Sequence, residues 1–350
     1  MMMRQWHVTS SYRDDSTSAA QRRTSSRCEG SWIPHLLSVM TTFVLVVAAL
    51  TLGGSRPALS ASALPGCRST SPGSVLLSLN VNGYARKVIV HVPAGSKNLT
   101  PMALVLNLHG SFNNAAFQQS FTNMDATSNA KRFIVAYPQA YIAAGTGFQW
   151  NIPPLYGGAS VPPNSPNDVK FLVTLVKILE GHYCIDPRQV YATGYSGGAR
   201  EVSQLGCDAS RVFAAIAPVD GLRRPTPCNT RRAVSVIAFH GSADPINPFD
   251  GSGQAYWTYS VTSAIGYWML QDHCTRSVKT SASDPTVVHT KYVGCANGAA
   301  VELYEVIGAG HVWPGGPPLA PNQIQFLGPQ TNAINANQLM WSFFKAHPMH

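Results

Sequence analysis

Charged side chains are scarce in this chain. Asp, Glu, Lys and Arg supply 12% of its 350 residues, against 45% hydrophobic ones. A disordered chain needs the opposite balance, and a coiled coil or long helical array needs far more charge on its outer faces. The 29 glycines and 25 prolines follow no three-residue period, which excludes collagen and favours a turn-rich globular fold. No C-x-x-C or H-E-x-x-H pattern occurs, so no metal is expected. There is also no Lys/Arg-rich block, zinc knuckle or aromatic-basic repeat, and no nucleic-acid partner is expected despite a formal charge of +9. Six basic residues (Arg4, Arg13, Arg22, Arg23, Arg27, Arg56) precede Cys67 with three acidic ones, leaving 19 basic and 13 acidic residues in a mildly basic body.

The one long apolar run is Leu36 to Leu52, which carries no charge, follows a basic segment and precedes Ala61-Ser62-Ala63. This is the pattern of a secretory signal cleaved after Ala63. Its 17 residues would span about 25 Å as a helix, short of the ~30 Å hydrocarbon core, so a retained membrane anchor is the weaker reading. Leu64-Pro65-Gly66-Cys67 hints at a lipid-attachment box but stands well away from the apolar run. Residues 1–63 thus read as a leader and 64–350 as a single domain, secreted, not inserted in a membrane after cleavage, and a monomer. With Cys28 lost in the leader, six cysteines remain: Cys67, Cys184, Cys207, Cys228, Cys274 and Cys295. An even number in an oxidising compartment suggests up to three disulfides. The best local pair is Cys274 with Cys295, flanking a short polar excursion from Val278 to His289 with a turn at Ser283-Asp284-Pro285. Asn98-Leu99-Thr100 is a glycosylation sequon, relevant only in a eukaryotic host.

Ser74 to Val92 alternates around Asn82-Gly83, the pattern of an edge hairpin. Near-continuous apolar runs then recur at Met102–Leu108, Phe133–Tyr137, Val190–Thr193, Ala214–Pro218 and Val234–Phe239, as in strands buried on both faces of a parallel sheet. Between them, Ser165-Pro166-Asn167-Asp168 supplies a cap, a first-turn proline and an acid for a helix start. Val169, Leu172, Val173, Val176 and Leu179 supply that helix's buried stripe up to a turn at Gly181. Thr331 to His347 reads as a closing amphipathic helix. Strands alternating with helices imply an α/β fold, with a mainly parallel sheet covered by helices on both faces. No internal repeat or Ser/Thr/Pro linker divides the chain.

Gly194-Tyr195-Ser196-Gly197-Gly198 follows the Val190 strand and opens a helical stretch. A G-x-S-x-G sequence in that setting holds a serine oxygen clear of the sheet on a sharp turn. The hydroxyl is a poor nucleophile unless a histidine takes its proton and an acid orients that histidine. Asp244 lies just beyond the Val234 strand, at an edge where α/β ligand sites open; Asp250 and Asp220 compete with it. His311 follows the last strand, Val301–Ile307, among flanking glycines. His109 and His240 precede glycines at strand ends and read as structural. Backbone amides of Gly197 and Ser111 are the candidate oxyanion donors. Trp150, Tyr195 and Trp313 are candidate substrate contacts.

With these stretches located, the chain resembles the polyhydroxybutyrate depolymerase and feruloyl esterase group of secreted α/β-hydrolases from Cys67 to about Pro348. The most specific segments are Tyr183–Arg188 through Tyr191–Ala199, Phe213–Val219, Ala238–Pro245 and Gly310–Gly316. The resemblance implies the α/β-hydrolase fold, Ser196, Asp244 and His311 as nucleophile, acid and base, and cofactor-free hydrolysis of carboxylic esters through an acyl-enzyme. The substrates it implies are small-molecule, oligomeric or polysaccharide esters, such as hydroxybutyrate oligomers or feruloyl and acetyl esters of polysaccharide. Many extracellular polymer depolymerases add a linker and a binding domain that this sequence lacks, which favours soluble esters.

Overall fold

In a computed structural model of the protein, the described residues are 67, 70–94, 100–152, 162, 164–226, 228–281 and 284–350. The expected leader, its cleavage point and the sequon at Asn98 lie outside them. All of the described residues fall in one compact unit, Ser60–His350. Among them, no helix is long and apolar enough to cross a membrane.

The apolar runs form the centre of a ten-stranded sheet. In chain order its strands are β1 (Gly73–Val81), β2 (Tyr84–Val92), β3 (Met102–Leu108), β4 (Ile134–Pro138), β7 (Ile185–Tyr195), β8 (Ala215–Val219), β9 (Ser235–Gly241), β10 (Arg276–Ser281), β11 (Val287–Val293) and β12 (Val301–Val306). A separate two-stranded ribbon comprises β5 (Ile142–Ala144) and β6 (Gly147–Gln149). The spatial order is β1-β2-β4-β3-β7-β8-β9-β12-β11-β10. The six strands from β4 to β12 are mutually parallel, and antiparallel strands flank them on both sides.

Strand periodicity sorts the core into two layers. Leu104, Leu106 and Leu108 of β3 point to one face, with Val236 and Ala238 of β9; there they meet Phe171, Leu172, Leu175 and Val176 of α3 (Asp168–His182), Val202 and Leu205 of α4 (Gly197–Asp208), and Ile265 and Trp268 of α5 (Val261–Gln271). Ala103, Val105, Ile237 and Phe239 point to the other face. They meet Phe121 of α1 (Ala115–Thr122), Met124 of α2 (Met124–Lys131) and Met340, Phe343 and Phe344 of α7 (Ala336–Ala346). A parallel sheet with helices on both faces is the expected architecture.

Several local expectations need correction. The cap of α3 is Asn167, whose side chain accepts from the Lys170 amide, while Ser165 turns its hydroxyl to the Pro162 carbonyl. The buried stripe of α3 is rotated from the expected one: Phe171 and Leu175 are inside, Val169 and Val173 only half-buried. The helix passes through Gly181 and stops at His182. Of the polar excursion from Val278 to His289, Val278–Ser281 lie in β10 and Val287–His289 in β11, which pair as an antiparallel ribbon at the edge of the sheet, while Ser283 of the expected turn lies outside the described residues. The closing helix starts at Ala336, after a further short helix, α6 (Pro321–Leu327), absent from the sequence reading.

Three disulfides are present: Cys67–Cys184, Cys207–Cys228 and Cys274–Cys295. The last joins the end of the loop after α5 to the turn after β11, drawing together the base of the β10–β11 hairpin.

Asp168, the first residue of α3, is buried against Arg86 of β2, with Nη2 and Oδ1 2.8 Å apart and both side chains shielded from water. The other carboxylate oxygen accepts the Asn151 amide, and the guanidinium covers the Phe171 ring. Breaking a buried ion pair leaves one charge without compensation, at a cost of about 3–5 kcal/mol. Arg86→Met is therefore expected to lower the unfolding free energy by about that amount in urea titrations, and Arg86→Met/Asp168→Leu to recover most of it. A single variant as stable as the parent would show that the pair contributes nothing.

Candidate active site

Three strand ends bring the candidate residues to one edge of the sheet. β7 ends at Tyr195, and Ser196 turns the chain into α4 with φ 54° and ψ −115°, a conformation that non-glycine residues rarely adopt. The turn is tight: a Cβ on Gly198 would lie 2.3 Å from the Leu108 carbonyl oxygen, and one on Gly194 would lie 2.7 Å from the Gly198 backbone. Only glycine permits that approach of α4 to β3. The Ser196 amide donates to the Val219 carbonyl of β8, fixing the elbow from the opposite side.

β9 ends at Gly241, and Asp244 follows in the next turn. Its Oδ1 accepts the amides of Ile246 and Asn247, both at 2.8 Å, and its Oδ2 accepts from His311 Nδ1 at 2.7 Å. Both side chains are buried. Burial alone would raise the Asp244 carboxyl, but hydrogen bonds and charge from His240 and His311 hold it well below the usual carboxylate range. Burial pulls the His311 imidazole below its ordinary value, and Asp244 counters part of that fall. With the proton on Nδ1 directed at Asp244, Nε2 keeps its lone pair.

The loop after β12 carries His311, and its backbone is held twice. Its amide donates to the carbonyl of Leu327, the last residue of α6, and its carbonyl accepts from the Tyr195 hydroxyl at 2.5 Å. The rings of Tyr195 and His311 lie 4.8 Å apart between centroids. The residue directly before Ser196 thus anchors the histidine, a contact that the sequence pattern does not reveal.

The loop after β3 supplies Ser111. A Cβ on Gly197 would lie 2.3 Å from Ser111 Oγ and 3.0 Å from its amide nitrogen, so the two peptide groups are neighbours. Gly197 opens α4, where amides have no intrahelical acceptor. The Ser111 loop is braced by Phe112, whose amide donates to Phe148 of β6, and by Phe148, whose amide returns to Asn113.

The remaining candidates play supporting parts. Asp220 is buried with its carboxyl pushed well up by burial and by Asp244; it accepts the Gly241 amide and lies 4.0 Å from His240 Nδ1, while Asp250 is exposed and bonds Ser252. His240 Nε2 donates to the Asn247 carbonyl and lies 3.4 Å from Asp244 Oδ2. His109 accepts the Ala140 amide on Nε2 and donates from Nδ1 to the Gly110 carbonyl; burial pushes it down to about 4. Trp150, Tyr195 and Trp313, the candidate substrate contacts, are all buried. Trp150 donates to the His109 carbonyl and Trp313 to Asn337 Oδ1, so they pack the site from behind. Among the described residues, Asp220, His240 and Asp244 form the one cluster whose ligand atoms are close enough for a metal ion. Asp244 and His240 Nε2 are already engaged in the hydrogen bonds given above.

No family model matches the chain. Over 259 residues it is 29% identical to NocK of Nocardia uniformis subsp. tsuyamanensis, named as an esterase, covering 67% of this chain and 73% of that protein. It is 27% identical to feruloyl esterase B of Piromyces equi, covering 65% of this chain and 42% of that protein. Over 40% of this chain and 32% of that protein it is 32% identical to poly(3-hydroxyalkanoate) depolymerase C of Paucimonas lemoignei. The chain thus spans less than half the length of the latter two relatives. Among solved structures, an acetyl xylan esterase from Aspergillus awamori superposes with a TM-score of 0.53 at 13% identity, covering 78% of this chain and 99% of that one. The chain has the α/β-hydrolase fold and is a relative of the group that includes feruloyl esterases, acetylxylan esterases and polyhydroxyalkanoate depolymerases.

Proposed function

We propose that the protein is an extracellular serine carboxylic-ester hydrolase that works through an acyl-enzyme. The observation that carries this reading is the strained Ser196 at the β7–α4 turn, next in the chain to Tyr195, whose hydroxyl bonds the backbone of a histidine that is itself hydrogen-bonded to a buried carboxylate. Ser196 Oγ attacks the ester carbonyl as His311 Nε2 takes its proton. The carbonyl oxygen becomes an oxyanion between the amides of Gly197 and Ser111. Collapse of the tetrahedral intermediate returns the proton from His311 to the leaving alcohol and leaves an ester on Ser196. Water then repeats the sequence, releasing the acid. Asp244 keeps the Nδ1 proton in place and stabilises the imidazolium that forms in each half-reaction. The relatives' names favour esters of feruloyl or acetyl groups on polysaccharide, or of hydroxyalkanoates, as substrates. Three disulfides support an oxidising compartment, in accord with the expected export signal.

Ser196→Ala should remain folded by circular dichroism, lose at least ~10⁴-fold in kcat on p-nitrophenyl acetate or butyrate, and no longer react with a fluorophosphonate probe. Retained turnover would remove Ser196 from the mechanism; a parent protein that resists the probe and turns over no ester would point to a binding protein on this scaffold.

The base acts only when neutral, and burial lowers the His311 value below the ordinary 6.5. The acid limb of kcat/KM should therefore have its midpoint below pH 6.5. Asp244 raises the imidazole value, so Asp244→Asn should move that midpoint further down while lowering the rate by ~10³- to 10⁴-fold. A parent midpoint at or above 6.5, measured with a neutral ester, would contradict this assignment.

A further inference from the structure

Arg200 stands one helical turn beyond Ser196 on α4, and its amide donates to the Ser196 carbonyl. Helical side chains lean toward the preceding turn, so the Arg200 side chain is directed back toward the start of α4. The guanidinium lies over the Tyr256 ring, 4.4 Å from its centroid. It is only partly exposed, and its Nε is buried without a hydrogen-bond partner.

A cation so placed ordinarily has a carboxylate beside it. Every acidic residue from Cys67 to His350 is among the described residues, and none forms an ion pair with Arg200. Its electrostatic neighbours are instead Tyr256, Tyr259 and a second cation, Arg223. Tyr259 is buried, and its hydroxyl too is left without a partner. Two unmet donors therefore share one basic, aromatic-walled surrounding next to the elbow. The charge of Arg200 is felt at the His311 imidazole, which it helps to lower.

We propose that Arg200, backed by the Tyr259 hydroxyl, is a carboxylate-binding subsite beside Ser196, and that the preferred substrates are esters carrying a second, free carboxylate. Tyr256 would hold the guanidinium plane while its edge pairs with the anion. Hydroxy-acid ester oligomers with a free acid end and half-esters of dicarboxylic acids share this chemistry. The inference rests on the esterase reading and deepens it.

Two matched substrate pairs separate the source of the carboxylate. On the acyl side, p-nitrophenyl hemiglutarate is compared with p-nitrophenyl valerate; on the alcohol side, 3-acetoxybutanoate is compared with its methyl ester. In at least one pair the parent should favour the anionic member in kcat/KM by on the order of 10- to 100-fold, the range for a charge-assisted hydrogen bond to a buried group. Arg200→Gln should abolish that ratio, and Arg200→Lys should restore part of it. A parent without preference in either pair, or a ratio that survives Arg200→Gln, overturns the subsite. Calorimetry with glutarate tests it apart from turnover: Ser196→Ala should bind the dianion and Ser196→Ala/Arg200→Gln should not. Absence of binding to Ser196→Ala counts against the subsite, whereas binding without ester turnover in the parent would sink the esterase reading alone.

Discussion

A serine at φ 54° must be held there by its surroundings, at a cost of about 1–3 kcal/mol. Everything else at the candidate site depends on that constraint. The glycines around Ser196 let α4 press against the Leu108 carbonyl, and β8 grips the serine amide from the other side. Because β3, β7 and β8 are adjacent parallel strands in the middle of the sheet, the elbow is braced by paired backbone on both flanks. The same contacts set Ser111 against Gly197, so the nucleophile and the proposed oxyanion donors are positioned by one packing arrangement.

The histidine and its acid are fixed by a different kind of interaction. Asp244, His240, Asn247 and Asp220 form a buried polar lattice at the ends of β8 and β9, in which Asn247 also donates to the Asp220 carbonyl. Such networks rigidify when satisfied and are costly when they are not. Here three atoms stay unmet, His240 Nδ1, Asp220 Oδ2 and Asn247 Oδ1, and burial favours the neutral form of the Asp220 carboxyl. Asp244 is the carboxylate that contacts His311. Both acids are buried, and their hydrogen-bond partners differ: Asp244 accepts from His311, Asp220 from the Gly241 amide.

Much of the sheet was readable because a strand buried on both faces must be apolar at nearly every position, as in β3, β4, β8 and β9. The β10–β11 hairpin was not, since an edge ribbon with half-buried Thr290, Lys291 and Tyr292 has the composition of a loop. Within α3, apolar residues cover enough of the circumference that spacing alone did not say which stripe faces the sheet; the ion pair of Asp168 with Arg86 accompanies the observed orientation. Ser196, Asp244 and His311 stood out through their places at strand ends. The partners of the aromatic residues were not legible: Trp150, Tyr195 and Trp313 are next to the loops in sequence, and their polar atoms bond the backbone or Asn337. Arg200 carried no signal in the chain, because the absence of a partner is visible only in three dimensions.

The Cys67–Cys184 bond joins residues 117 positions apart, from before the first strand to the residue before β7. A peptidase that cuts once anywhere inside that span leaves both pieces covalently joined, so a nicked molecule can keep its core assembled. The same bond imposes a delay at birth. At ~5–20 residues per second of synthesis, Cys67 waits roughly ten seconds for its partner to emerge. Cys184 is the next cysteine in the chain after Cys67, so pairing in order of appearance already yields the native bond.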